Sequence, residues 1–147
     1  MVFKKIFDTI PEEAINLFES AFEIKLPKDY AQYLMNHNGG SVSPKVFNIG
    51  NESQRSQVFI FYGFQTNEEY KDYDLVDNID LYESDFPNSF YPIGEDPGGN
   101  KICLNLNTND YGKIYFWDHE TASEDTPSVK DLILIADSFT DFLNKLY

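Results

Sequence analysis

The sequence is poor in the residues that most often carry chemistry: one cysteine, two histidines and one tryptophan in 147 residues. A lone thiol cannot close an internal disulfide, and Cys103, set between Ile102 and Leu104, reads as a small buried hydrophobe suited to a reducing compartment. His37, Cys103 and His119 are scattered without ligand spacing, so zinc is not expected. Positive charge is scarce as well, with 11 Lys plus Arg against 25 Asp plus Glu and a formal net charge of -14 at pH 7. Such a field repels phosphate backbones and anionic lipid, which speaks against nucleic-acid or membrane partners and for a basic protein partner. No apolar run approaches bilayer length, and MVFKKIFDTIPEEA lacks a signal-peptide core. The expected localisation is cytoplasmic. Repeats, low-complexity tracts and linkers are absent too.

What is present is aromatic: 13 Phe and 10 Tyr, within an apolar fraction of 41%. That supplies one core, and residues 1–147 are expected to form one domain. A helix should begin at Pro11, with Glu12 and Glu13 favourable to its dipole and Ala14, Leu17, Phe18, Ala21 and Phe22 as its core face. LPKDYAQYLMNHNGG predicts a second, with Tyr30, Tyr33, Leu34 and His37 on one face and Gly39 and Gly40 at its exit. Residues 45–49 and 57–64 read as strands joined by the polar GNESQRS. Leu75, Val76, Ile79 and Tyr82 suggest a helix that Pro87 ends. Strands follow at Tyr91 to Ile93, 101–106, 113–118 and Leu132 to Ile135, and Ser138 with Asp141 caps a last helix bearing Phe139, Phe142, Leu143 and Leu146. The order α, α, β, β, α, β, β, β, β, α predicts an α+β fold, a largely antiparallel mixed β-sheet flanked by N-terminal and C-terminal helices. Phe116 and Trp117 should occupy opposite faces of one strand, only one of them in the core, against Phe18 or Phe142.

The stretch IGEDPGGN at 93–100 invites a phosphate-binding reading, yet the glycines lead into the strand-like KICLNL and two acids would face the anion. NLNTNDYG imitates the start of a calcium loop, but Asp110 stands where glycine is needed and Phe116 where a bidentate glutamate is needed. His119 has acidic neighbours in Asp118 and Glu120, which strand alternation turns to other faces. Neither a GxSxG elbow nor a cysteine-protease context occurs, and nothing among the many acids singles out a glycosidase pair. The expectation is a protein that is not an enzyme and has no cofactor or metal. A small hydrolase would need a pocket with convergent polar groups and a perturbed acid or base.

Four motifs in register, the LP-x-x-Y helix ending in NGG, the apolar-Pro-Ile-Gly turn with Gly98-Gly99-Asn100, the aromatic strand ending in Trp117-Asp118-His119-Glu120, and the closing Ser138-Phe139-x-x-Phe142-Leu143 helix, resemble the SUKH superfamily. That superfamily covers bacterial immunity proteins and a fungal regulator of cell-wall glucan synthesis. The resemblance implies an α+β fold and a non-catalytic protein that binds and neutralises a toxin domain, often a nuclease. An alternative drawn from the fungal relatives is a regulatory scaffold in cell-wall synthesis or stress signalling. It also makes IGEDPGGN a turn between strands, with Gly98 and Gly99 available for positive φ and Pro97 fixing the approach.

A partner surface is expected where acids and tyrosines interleave between Glu68 and Asp85: Glu69, Asp72, Asp74, Glu83 and Asp85 with Tyr70, Tyr73 and Tyr82. Glu95, Asp96, Asp118 and Glu120, near strand ends that antiparallel pairing could bring together, complete it. The competing reading of this region is a solvated charged face.

Overall fold

The computed structural model describes residues 1–64 and 67–147. Its centre is a five-stranded sheet of β5 (Ile60–Phe61), β6 (Phe90–Glu95), β7 (Lys101–Asn105), β8 (Ile114–Trp117) and β9 (Leu132–Ala136), in that spatial order. Each pairing in it is antiparallel, with register shifts in the β6/β7 and β8/β9 ladders. Two short ribbons accompany the sheet, β1 (Val2–Lys4) with β2 (Ser41–Ser43) and β3 (Val46–Ile49) with β4 (Asn51–Gln57). The helices are α1 (Glu12–Phe22), α2 (Lys28–His37), α3 (Leu75–Leu81) and α4 (Phe139–Asn144). This is the expected α+β architecture with its antiparallel sheet and terminal helices.

Burial departs from expectation in two places. On α1 the core takes Ile15, Phe18 and Glu19, while Leu17 is 72% exposed and Ala21 is exposed. The true stripe is rotated by about one residue because Glu19 is stabilised inside: its carboxylate accepts the Leu26 N–H at 2.7 Å and lies 3.3 Å from Lys25 Nζ. The second departure is the sheet itself. Phe116 and Trp117 do face opposite ways, but both are buried, at 3% and 5% exposure, so the sheet is covered on both faces. Phe116 belongs to the larger core with Ile102, Leu104 and Ile114, and its aromatic neighbour is Phe47 at 5.9 Å in place of Phe18 or Phe142. Trp117 belongs to a smaller core with Cys103 and Tyr115, closed by Phe86, Phe90 and Leu132.

The segment GNESQRS is no connection. Gly50, at φ 72, makes the turn, and the following polar residues are β4 itself, antiparallel to β3. Of 57–64, Gln57 ends β4 and Ile60–Phe61 forms the short β5. Within IGEDPGGN, Ile93 to Glu95 end β6 and residues 96–100 make the turn into β7. Gly99 takes positive φ, at 85, whereas Gly98 does not, and Asp96 accepts from the Gly98 and Asn100 N–H groups at 2.9 Å each. Among the described residues no helix is long and apolar enough to cross a membrane.

Candidate partner-binding cleft

The acidic segment is held by its own side chains. It runs through a 3-10 turn at Glu68–Tyr73, α3, and a second 3-10 turn at Glu83–Asp85. Asn67 caps the first turn by accepting the Tyr70 N–H, and Asp74 caps α3 by accepting the Asp77 N–H at 2.9 Å. Asn78, buried, donates to the Asp72 and Asp74 carbonyls at 3.0 and 2.8 Å. Backbone bonds between Gly63 and both Tyr73 and Leu75 fasten the segment beside the central sheet.

Between this segment and the β6/β7 hairpin lies a cleft of about 490 Å³, lined by Asp72, Tyr73, Asp77 and Tyr82 among others, with Glu95 and Lys101 from the hairpin. Glu95 and Lys101 are register partners across β6 and β7. Lys101 is 3% exposed, its Nζ 2.8 Å from Glu95 Oε2 and 2.9 Å from the Tyr62 hydroxyl, while that hydroxyl donates to Glu95 at 2.7 Å. The ammonium also sits 4.4 Å from the centroid of the Tyr82 ring. A buried ion pair needs such additional partners to offset its desolvation. Burial and the neighbouring Glu95 carboxylate push the Tyr62 phenol well above its ordinary pKa, which keeps its proton on as a donor. Tyr73 is shifted the same way, by burial first and then by Glu95 and Asp72.

The result is an electrically closed floor under an acidic rim. Lys101 is matched by Glu95, and Lys71 reaches Glu68 at 3.3 Å. Among the described residues, neither the Asp72 nor the Asp77 carboxylate has an ion-pair partner.

Of the residues expected at a partner surface, Asp72, Tyr73, Tyr82 and Glu95 meet in this cleft. Glu69, Glu83 and Asp85 are exposed on the same segment but outside it, and Tyr70 turns its ring inward against Phe7 at 5.9 Å. Asp74 spends its carboxylate on the α3 cap. Asp96 is 5% exposed and saturated by the turn it organises and by the Ser56 hydroxyl at 2.8 Å. Asp118 and Glu120 lie in the turn after β8, joined to the β6/β7 turn through His119, whose Nδ1 is 2.7 Å from Asn100 Oδ1. The two strand ends therefore do converge, separately from the cleft lining.

Lys101 and Tyr62 escape a reading of the sequence, since a lysine opening a strand normally implies solvent. The available signal is positional: Glu95 and Lys101 flank the GEDPGGNK turn, and antiparallel pairing sets such residues opposite each other. Among the described residues no group of three or more His, Cys, Asp or Glu could hold a metal ion.

Comparison with known proteins shows what the chain as a whole is similar to. In Bacillus subtilis (strain 168), the SPbeta prophage-derived uncharacterized protein YokK is 31% identical over 139 residues, covering 83% of this chain and 67% of the relative. The family model described as SMI1 / KNR4 family (SUKH-1) matches residues 9–145. With nearly the whole chain matched, including both turns and the helices that frame the sheet, the protein belongs to the SMI1 / KNR4 family (SUKH-1).

Proposed function

We propose that this protein is a non-catalytic, cytoplasmic immunity protein that binds a basic toxin domain, such as a nuclease, and occludes its active surface. The observation that carries the reading is the acidic segment from Glu68 to Asp85, whose Tyr73 and Tyr82 line a cleft with Asp72 and Asp77. Aromatic side chains beside uncompensated charge supply both packing and complementarity. Family membership supports the reading, because the SUKH resemblance implies toxin neutralisation, and so does the net charge of -14.

The test is protection of cells against a toxin encoded beside the gene, together with binding kinetics of the purified pair. Asp72→Lys with Asp77→Lys should slow association, and Tyr73→Ala should speed dissociation, with the fold retained by circular dichroism. Asp74 is left alone because reversing it would also remove the α3 cap, at a cost of about 1 kcal/mol. Wild-type protection and rates in these variants would move the contact surface elsewhere. A gene neighbourhood without a toxin, with capture of a housekeeping enzyme, would favour the regulatory scaffold.

A further inference from the structure

We infer that the cleft between α3 and the β6/β7 hairpin receives an arginine side chain of the partner, its guanidinium stacked on Tyr73 and paired with Asp72 and Asp77. The inference rests on reading this face as the partner surface and assigns the residue type that enters it. Three observations select the occupant. The volume of about 490 Å³ admits a long side chain. The two carboxylates at the rim have no ion-pair partner among the described residues, whereas Lys101 of the lining is held in a buried pair and Lys71 meets Glu68 in an exposed one. The rings are not equivalent: Tyr82 already carries the Lys101 ammonium at 4.4 Å, whereas the described aromatic neighbour of Tyr73 is Phe59, met edge-on at 5.9 Å.

A planar, weakly hydrated guanidinium can stack on a ring and bond carboxylates at its edge at the same time. An ammonium is a compact and strongly hydrated charge that does the second but gains less from the first. The cleft should therefore discriminate between the two cations. The paired floor assists by exposing no free cation of its own to repel the incoming one.

The experiment is a titration of the intact protein with acetyl-Gly-Arg-Gly-amide and, separately, acetyl-Gly-Lys-Gly-amide, followed by backbone amide shifts. The arginine probe should give saturable shifts centred on Tyr73, Asp77, Tyr82 and Lys101, with an affinity at least about threefold above the lysine probe. Asp72→Asn with Asp77→Asn should weaken it by roughly tenfold, and Tyr73→Leu should abolish the preference for arginine. Equal affinities, unsaturated shifts, or saturable shifts confined to residues 118–125 would overturn the inference. No toxin takes part in this titration, so its failure is separate from failure of the immunity reading. Conversely, a protective protein whose cleft ignores arginine would retain the function and lose the inference.

Discussion

Asn38 shows how much one side chain can hold. At the exit of α2 it is 1% exposed with φ 47, a left-handed conformation that asparagine tolerates better than most residues. Its amide donates to the Asp8 and Phe64 carbonyls at 2.8 Å each and accepts the Phe64 N–H at 2.7 Å. The helix end is thereby clasped to the loop before α1 and to the segment after β5. Asn38→Ala removes all three bonds and leaves buried backbone groups unpaired, so it should cost about 3 kcal/mol, measured as a lower denaturant midpoint at unchanged slope. Asn38→Gly loses the same bonds without the steric penalty at positive φ and should fall between wild type and alanine. The adjoining Gly39 has a separate reason: a Cβ there would lie 2.7 Å from the Phe61 and Tyr62 carbonyl oxygens. The sequence NHNGG announces a helix exit through its turn chemistry. It does not announce the clasp, because that depends on residues 30 and 26 positions away.

Among the elements, those with local signals are the ones legible in the chain. Pro11, Pro27 and Ser138 mark helix starts, and Ser138 does accept the Asp141 N–H at 2.9 Å. The strands β1 and β2 have three residues each and owe their state to pairing with one another, which no local pattern encodes. For β4, polarity misleads, since NESQRSQ forms a largely exposed ribbon that needs no apolar alternation. The acidic rim of the cleft was legible as composition, while its floor was not, because the partners of Lys101 come from β6 and from Tyr62 beyond β5. This floor supports an element-scale prediction. Lys101→Met leaves the Glu95 carboxylate in a largely buried site without its counter-ion, with the Tyr62 hydroxyl still donating to it, and should destabilise by about 3 kcal/mol or more. Adding Glu95→Gln should recover a substantial part of that loss, and a strictly additive double variant in thermal unfolding would show that the two side chains are not coupled.

Over the whole molecule, charge and fold are distributed unevenly. Between Glu68 and Asp85 eight acids stand against Lys71 alone, so this segment carries half of the net charge of -14. Association with a basic partner should accordingly slow by about tenfold or more as salt rises from low to several hundred millimolar, with dissociation changing far less. A salt-independent association rate in stopped-flow measurements would remove electrostatic steering from the account.

The sheet separates two aromatic layers, and the one tryptophan of the chain belongs to the smaller. Trp117 meets Phe86 edge-on at 4.9 Å and Tyr82 at 6.3 Å, and Tyr82 is also a wall of the cleft. The indole is thus an optical gauge with a restricted field of view. Its emission responds to the layer next to the cleft and is shielded by the strands from rearrangements among the helices beyond them. Any stepwise loosening of the two layers would be visible as fluorescence out of step with the backbone signal, with no label attached.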